Sequence, residues 1–288
     1  MENPLTAPCI ALLTDFGTLD TFVGVMKGVV TRISPNVPII DLTHNITPGD
    51  IHEGAFKLWQ AVPYFPRGTI FCVVVDPGVG TNRRPVAVAW PERVCVGPDN
   101  GLFTYLLVSD PSFHAHRLIA PDYQLPPVSS TFHGRDLFAP AAAHLSLGLP
   151  PATLGPPVTD LVRFPLPELE LVEGPAVRGE ILRIDRFGNF TTSIGMLRGE
   201  EDDLVLEPWL PHCPPARLPI AGLCLQLPNG VALDLRATFG DVAVGEALTY
   251  VGSDGLLEIA VNRGRAADVL PLALGQEVVL GYPGRGRP

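Results

Sequence analysis

The chain has little positive charge and no long apolar run. Its 288 residues include two lysines and eighteen arginines against thirty acidic side chains, which gives a formal charge of −10 at pH 7. An acidic surface repels phosphate backbones and anionic headgroups, so we expect neither nucleic acid nor a membrane as a partner. No apolar run approaches the ~20 residues that span a bilayer. We also expect no secretory signal, because no basic segment followed by a long apolar one is evident at the N-terminus.

Cysteine is scarce and follows no disulfide or metal-binding pattern. The cysteines form an odd set without a Cys-x-x-Cys pair, and several lie inside apolar runs. Buried thiols in a reducing cytoplasm explain this better than disulfides or zinc ligands. We therefore expect a cytoplasmic protein. The five residues are Cys9, Cys72, Cys95, Cys213 and Cys224.

One stretch stands out among the residues that are present. Residues 71–75 are apolar and include three consecutive valines, and Asp76, a Pro-Gly turn and Gly80 follow them directly. Such a run predicts a strand buried on both faces of a parallel sheet, and ligands bind beyond the carboxyl ends of such strands. Arg83 and Arg84 lie within reach of the acid. Taken alone, the motif is more typical of an ordinary turn whose acid caps the backbone.

Strand and helix patterns alternate through the first half of the chain. This β-α-β-α-β order predicts an α/β domain with a mainly parallel sheet over residues 1–164. Proline is frequent between about residues 149 and 175, which suggests an extended connection. Short apolar runs broken by Gly and Asp turns then predict a smaller β-barrel domain over residues 165–288, with a sandwich as the alternative. Those runs are 179–184, 204–206, 231–235, 248–251 and 256–261.

Acidic residues fall at the ends of several predicted parallel strands. Asp15, Asp41 and Asp76 would share one edge of the sheet, where they could hold hydroxyl groups or a cation. A ribose diol suits a carboxylate, which accepts two hydrogen bonds. His44, Asp50, His52 and Glu53 offer a different possibility, a metal site. Their spacing matches no zinc pattern, so solvated residues at a helix start are the better interpretation.

The motifs together resemble the S-adenosylmethionine hydrolase family, also called SAM hydroxide adenosyltransferases, which is related to the fluorinases and chlorinases. The resemblance covers nearly the whole chain, in the family's order. It implies an α/β domain, a C-terminal β-barrel, a homotrimer with substrate between neighbouring subunits, and no metal or cofactor. The matching pieces are TDFG at 14–17, MKG at 26–28, VDPGVG at 75–80 with Arg83, GPDNG at 97–101, TFHGRD at 131–136, FAPAA at 138–142, DRFGN at 185–189 and GSDGLLEIAVN at 252–262.

The resemblance also implies a reaction and a set of catalytic residues. Water would attack C5′ of S-adenosyl-L-methionine, giving adenosine and L-methionine. Asp76, Arg83 and His133 look like the set that orders the water, with Asp76 orienting the others or taking the proton. Arg83 and a protonated His133 would stabilise the developing hydroxide. His133 lies just before a predicted helix, where unpaired N–H groups favour anions.

The implied substrate contacts come from both halves of the chain. Asp15 resembles the carboxylate that holds the ribose hydroxyls, and Asp185 and Ser253 resemble the contacts to the methionine amino and carboxylate groups. Phe187 and Asn189 resemble contacts on the adenine side. The remaining implied substrate contacts are Glu258 and the backbone near Val261 and Arg263.

Two departures from the halogenase pattern bear on the nucleophile and on the amino-acid end. The halogenases carry Tyr and Thr where this chain has Asp76 and Val79, which favours water over halide. Position 254 is Asp where the fluorinase pattern has a basic residue. Three alternatives stay open: a 5′-halo-adenosine synthase, a non-catalytic adenosine or S-adenosylmethionine sensor, and a metal-dependent hydrolase using His44, Asp50 and His52.

Overall fold

A computed structural model of the chain describes residues 9–282. The chain divides into two compact units, with the boundary between Phe164 and Pro165. Across residues 9–282, no helix is long and apolar enough to cross a membrane. All five cysteines are buried and unpaired, as predicted. Burial raises the pKa of the Cys72 and Cys95 thiols to about 12, which keeps both protonated.

The N-terminal unit is built on a mixed seven-stranded sheet, ordered β2-β1-β3-β5-β4-β6-β7. The pairs β1–β2, β1–β3 and β3–β5 are parallel and the other three are antiparallel, so the sheet is less parallel than predicted. Only two residues connect β4 to β5, and so short a connection can join only antiparallel strands. The strands are β1 Ile10–Thr14, β2 Ile39–Thr43, β3 Thr69–Val74, β4 Pro85–Trp90, β5 Arg93–Pro98, β6 His114–Arg117 and β7 Pro157–Val158.

Helices cover both faces of this sheet. Alternate residues of each central strand enter opposite cores: Ile10 and Leu12 pack on one face, and Ala11 and Leu13 on the other. Burial on both faces explains why these strands are continuously apolar. A π-helical turn, Gly134–Phe138, leads directly into the last helix. The helices are α1 Phe22–Ile33, α2 Ile51–Ala61, α3 Thr104–Ser109 and α4 Ala139–Ser146.

The C-terminal unit consists of antiparallel sheet. Eight strands form one sheet, ordered β15-β14-β18-β9-β10-β17-β16 with β8 beside β9, and β11, β12 and β13 form another. A bridge from Leu235 to Thr249 brings the two ends of the large sheet together, so it is barrel-like and nearly closed. The strands are β8 Leu169–Val172, β9 Ala176–Ile184, β10 Phe190–Thr192, β11 Leu197–Glu200, β12 Asp203–Leu206, β13 Ala216–Pro219, β14 Cys224–Gln226, β15 Ala232–Asp234, β16 Ala247–Val251, β17 Leu257–Val261 and β18 Glu277–Gly281, with a short helix α5 at Ala266–Val269.

The proline-rich stretch contributes to both sheets. Strand β7 pairs with β6 in the first unit, and β8 pairs with β9 in the second. Proline suits these positions because β7 is an edge strand, where a missing N–H costs no ladder hydrogen bond.

Candidate active site

The candidate site lies at the carboxyl edge of the parallel strands. Asp15 follows β1 directly and Asp76 comes two residues after β3. The negative charge of Asp76 acts on the Asp15 carboxyl group, so the two acids share one neighbourhood. Asp41 differs from them because it lies inside β2, opposite Leu12, and its carboxylate is 2.6 Å from Lys27 Nζ. The structure therefore places two of the three predicted acids at this edge.

Asp76 and Arg83 form a buried ion pair joined by two hydrogen bonds. Arg83 Nε donates to Asp76 Oδ1 at 2.9 Å, and Arg83 Nη2 donates to Oδ2 at 2.5 Å. The two side chains are only 4% and 9% exposed, so water screens the pair weakly. The Arg83 guanidinium also lies 5.4 Å from the ring centre of Phe138. Both charged residues belong to the ten-residue loop between β3 and β4, two strands that flank β5.

His133 completes a three-residue cluster through Arg83. Its Nδ1 is in contact with Arg83 Nη2. A guanidinium only donates, so Nδ1 must accept, and the imidazole is neutral with its proton on Nε2. Burial lowers the pKa of His133, and the charge of Arg83 lowers it further. This contact favours a neutral His133 in the free protein, whereas the family resemblance implies a protonated one during the reaction.

Hydrogen bonds to the Asp136 carboxylate stabilise the loop that carries His133. This carboxylate is fully buried and accepts hydrogen bonds from Ser129 N at 2.8 Å and from Arg135 Nε at 2.6 Å. Ser129 Oγ accepts in turn from Phe132 N at 2.9 Å. Burial acts to raise the pKa of Asp136, but the hydrogen bonds from Arg135 and Ser129 outweigh it and lower that pKa. A charged Asp136 thus orders the residues before His133.

Asp15 is held by the loop that follows β2. Gly49 N donates to Asp15 Oδ2 at 2.8 Å. Burial raises the pKa of Asp15, and the nearby charge of Asp76 raises it as well, while the bond from Gly49 opposes both. A partly buried carboxylate with a raised pKa is typical of a site that binds a polar ligand.

Asn100 supports the site, although sequence analysis assigned it only to a turn. Its Nδ2 donates to the carbonyl of Val75 at 2.9 Å, directly before Asp76, and its Oδ1 accepts from Leu102 N at 3.2 Å. The position of Asn100, two residues after strand β5, is the signal available in the sequence. Asp136 carried a similar signal, since an acid that opens a helix often binds backbone amides.

In the C-terminal unit, Asp185 organises its own turn. Its Oδ1 accepts from Phe187 N and Asn189 N, both at 2.8 Å, and its Oδ2 accepts from Asn189 Nδ2 at 3.2 Å. Asn189 is buried, whereas the Phe187 ring is 72% exposed. An exposed aromatic ring on a rigid turn can stack on a planar ligand.

Glu258 lies close to this turn. Tyr250 Oη donates to its Oε2. Burial raises the pKa of Glu258, and the carboxylates of Asp185 and Asp254 add to that effect, against the hydrogen bond from Tyr250 and the charge of Arg183. The structure thus brings Glu258 and Asp185 into one electrostatic neighbourhood.

The other predicted contacts of this unit occupy different settings. Ser253 is exposed in the turn before β17, and Val261 is buried as the last residue of β17. Arg263 is exposed and adopts a left-handed backbone with φ of 54°. A non-glycine residue in that region is uncommon, which marks this turn as unusual.

The residues of the metal-site alternative serve other purposes. His44 Nδ1 is 2.9 Å from Thr14 Oγ1, Asp50 caps α2 by accepting from Glu53 N, and the His52 ring lies 4.1 Å from that of Phe164. Within residues 9–282, no three His, Cys, Asp or Glu side chains are grouped so that they could hold a metal ion.

These features define a class of protein: a mixed α/β unit with an acid–guanidinium–imidazole cluster at its carboxyl edge, followed by a nearly closed antiparallel unit. The model for the N-terminal domain of SAM hydroxide adenosyltransferases matches residues 10–155, and the model for their C-terminal domain matches residues 179–279. The chain belongs to the SAM hydroxide adenosyltransferase family.

Individual relatives agree with this assignment. The chain is 43% identical over 280 residues to a Thermus thermophilus protein named (R)-S-adenosyl-L-methionine hydrolase, covering 94% of this chain and 98% of the relative. It is 31% identical to a fluorinase of Actinoplanes sp., over 88% of this chain and 91% of that one. It also resembles the crystal structure of an uncharacterized conserved protein from Thermotoga maritima, with a TM-score of 0.80, 33% identity, and 94% and 99% of the two chains covered.

Proposed function

We propose that this protein hydrolyses S-adenosyl-L-methionine to adenosine and L-methionine. The observation that carries the proposal is the cluster of Asp76, Arg83 and His133. The family resemblance implies Tyr in the halogenases where this chain has the carboxylate of Asp76. The hydrolase relative, at 43% identity, is more similar than the fluorinase, at 31%. The name of that relative specifies (R)-S-adenosyl-L-methionine, and we propose the same sulfur epimer as the substrate of this chain.

In the proposed reaction, the oxygen of water forms a bond to C5′ while the C5′–S bond breaks. The electron pair of that bond stays on sulfur, so the sulfonium leaves as neutral methionine and needs no acid. The difficulty is the weak nucleophile. Arg83 and His133 stabilise the developing hydroxide, and Asp76 takes the proton.

Geometry and charge supply the acceleration. Positioned proton transfer is typically worth ~10²–10⁴-fold, and holding water in line with C5′ adds a proximity effect. Attraction between the developing hydroxide and the sulfonium strengthens where bulk water is excluded. Each of these three effects depends on side chains of the protein and on one water molecule.

Substrate contacts follow the family resemblance. Asp15 holds the ribose hydroxyls, and Asp185 and Ser253 bind the amino-acid end. The adenine side and the rest of the substrate contact Phe187, Asn189, Glu258, and the backbone near Val261 and Arg263. We propose a cytoplasmic homotrimer in which neighbouring subunits share each substrate molecule; light scattering should then give three times the mass of one chain.

An isotope experiment tests the reaction. Purified protein is incubated separately with the R and the S sulfur epimer of S-adenosyl-L-methionine in H₂¹⁸O. The products are separated by chromatography and their masses are measured by mass spectrometry. Attack at C5′ places ¹⁸O in the 5′-hydroxyl of adenosine and none in methionine, with faster turnover of the R epimer. Recovery of bound, intact S-adenosylmethionine after hours would indicate a sensor instead, and unlabelled adenosine would exclude attack by water at C5′.

A further inference from the structure

A buried hydroxyl directly precedes Asp15 and is tied to the loop after β2. Thr14, the last residue of β1, is 0% exposed. Its Oγ1 accepts a hydrogen bond from Phe16 N at 3.2 Å, which closes a tight turn around Asp15. The same Oγ1 lies 2.9 Å from Nδ1 of His44. His44 is only 4% exposed, and the reaction proposed above does not use it.

Both ring nitrogens of His44 have a polar neighbour. Its Nε2 lies 3.0 Å from Asp41 Oδ1, a close contact that is not a hydrogen bond. Asp41 also pairs with Lys27 Nζ at 2.6 Å. A carboxylate beside Nε2 favours the tautomer with its proton there, which leaves Nδ1 free to accept from the Thr14 hydroxyl. Contacts thus run from Lys27 on α1 through Asp41 and His44 to Thr14 at the end of β1.

Two backbone hydrogen bonds join the same segments. Gly17 N donates to the carbonyl of His44 at 2.7 Å. Gly49 N, five residues further along this loop, donates to Asp15 Oδ2 at 2.8 Å. Thr14 and Gly17, which lie on either side of Asp15, are thus both hydrogen-bonded to His44. The Asp15 carboxylate is hydrogen-bonded to the loop that begins at His44.

We infer that His44 is a positioning residue that, through Thr14, sets the orientation of the Asp15 carboxylate and so the preference of the protein for a vicinal diol. The inference rests on the proposed function, in which Asp15 binds the ribose hydroxyls. A carboxylate accepts from both hydroxyls of a diol only when its plane is correctly turned, and bonds to a charged group depend strongly on direction. Thr14 and His44 supply that orientation without touching the ligand.

The measurement is the ratio of the affinity for adenosine to that for 2′,3′-dideoxyadenosine, obtained by calorimetry on the full chain. Asp15→Asn gives the ratio without the charged acceptor. Thr14→Val removes the hydroxyl, and we expect the ratio to fall about tenfold, as for the loss of one hydrogen bond to a charged group. Thr14→Ser restores the hydroxyl and should keep the ratio of the wild type.

His44 offers a second pair of variants. The amide oxygen of Asn can replace the accepting Nδ1, whereas the amide of Gln extends to the position of Nε2. We expect His44→Asn to retain most of the diol preference and His44→Gln to lose it. This contrast depends on which side of the imidazole is preserved, so a general loss of stability would not produce it.

A matched control lies at the end of a strand in the C-terminal unit. Thr192, the last residue of β10, is also 0% exposed, and its Oγ1 accepts from Ile194 N at 3.2 Å in a turn like that of Thr14. Thr192→Val removes a similar turn hydrogen bond outside the segments that His44 joins, and the ratio should stay at the wild-type value. Melting temperatures of all variants report whether each one folds.

The outcomes separate this inference from the proposed function. If wild-type protein shows no diol preference, or if Asp15→Asn keeps it, the ribose role of Asp15 is wrong. If Asp15→Asn loses the preference while Thr14→Val and His44→Gln keep it, the positioning role of His44 is overturned. Should Thr14→Val fail to fold, the two His44 variants decide the question.

Discussion

Gly80 lies so close to Ser130 that a β-carbon on Gly80 would be 2.6 Å from the carbonyl oxygen of Ser130. Gly80 also has a φ of +78°, which residues other than glycine adopt only with strain. This is the contact at which the loop of Asp76 and Arg83 meets the loop of His133. The absence of a side chain at Gly80 therefore permits the approach that joins the three-residue cluster.

Replacing Gly80 with alanine should separate the two loops and reduce turnover. We expect Gly80→Ala to lower kcat about 100-fold, the typical cost of displacing catalytic groups by about 1 Å. The control is Gly148→Ala, because Gly148 has a similar φ of +89° and a β-carbon there would meet no atom within 4 Å. That variant should lose about 1 kcal/mol of unfolding free energy and keep its turnover. Equal kcat values for the two variants would contradict the prediction.

The proposed proton acceptor gives a direct mutational test. Asp76→Asn keeps the shape of the side chain but removes its charge, so kcat should fall by ~10²–10⁴-fold. Adenosine binds through other groups, and its dissociation constant should change by less than a few-fold.

A matched control for Asp76 is available beside the same loop. Asp160 pairs with Arg84, the residue after Arg83, at 2.6 Å, and is 79% exposed. Asp160→Asn removes an ion pair of the neighbouring arginine, and activity should stay within about twofold because exposed pairs contribute little. Wild-type turnover in Asp76→Asn would exclude the proposed role of that carboxylate.

The neutral state of His133 predicts how activity depends on pH. Burial and the charge of Arg83 lower the pKa of His133 below its usual value of 6.5. Above that lowered pKa, Nδ1 accepts from Arg83; below it, two cations face each other and the cluster separates. A plot of kcat against pH should therefore be level near neutrality and fall on the acid side, with its midpoint below 6.5.

The His133→Asn variant identifies the titrating group. Its residual kcat should lack the acid-side fall assigned to the imidazole. The raised pKa of Asp15 should instead affect kcat/KM, because Asp15 is proposed to bind substrate. A kcat midpoint at or above 6.5 in the wild type, or an unchanged profile in the variant, would contradict this assignment.

Halide ions should not replace water as the nucleophile. Chloride or fluoride near Asp76 would meet a negative charge, and like charges in a poorly solvated site repel strongly. We expect no 5′-halo-adenosine when S-adenosylmethionine is incubated with protein in either salt, measured by chromatography against authentic standards. The fluorinase-like alternative requires a halogenated product that scales with halide concentration.

Much of the first unit could be predicted because its sequence patterns are local. Runs buried on both faces, such as residues 71–75, predicted the parallel strands, and the acids after them predicted the edge where Asp15 and Asp76 lie. The two-residue connection between β4 and β5 also implied an antiparallel pair, which the predicted mainly parallel sheet overlooked. The structure brings Asp76, Arg83 and His133 together, and their catalytic roles stay predictions.

What the sequence could not supply depends on contacts between distant residues. The neutral state of His133 follows from the contact between its Nδ1 and the Arg83 guanidinium. The spacing of these residues in the sequence does not predict that contact. Asp41 shared the pattern of Asp15 and Asp76, but it lies inside β2 and pairs with Lys27 on α1. The supporting role of Asn100 likewise depends on the carbonyl of Val75, a distant residue in the chain.

The loop of residues 75–84 crosses the end of β5, because the strands at its two ends, β3 and β4, lie on opposite sides of that strand. Those strands are about 10 Å apart at the usual spacing of a sheet, and both are anchored in the core. Both ends of the loop are therefore fixed by core strands. Asp76 and Arg83 lie seven positions apart within it. Insertions or deletions between Pro77 and Asn82 should shift both groups at once, so we expect variation in loop length across homologous chains to be concentrated elsewhere.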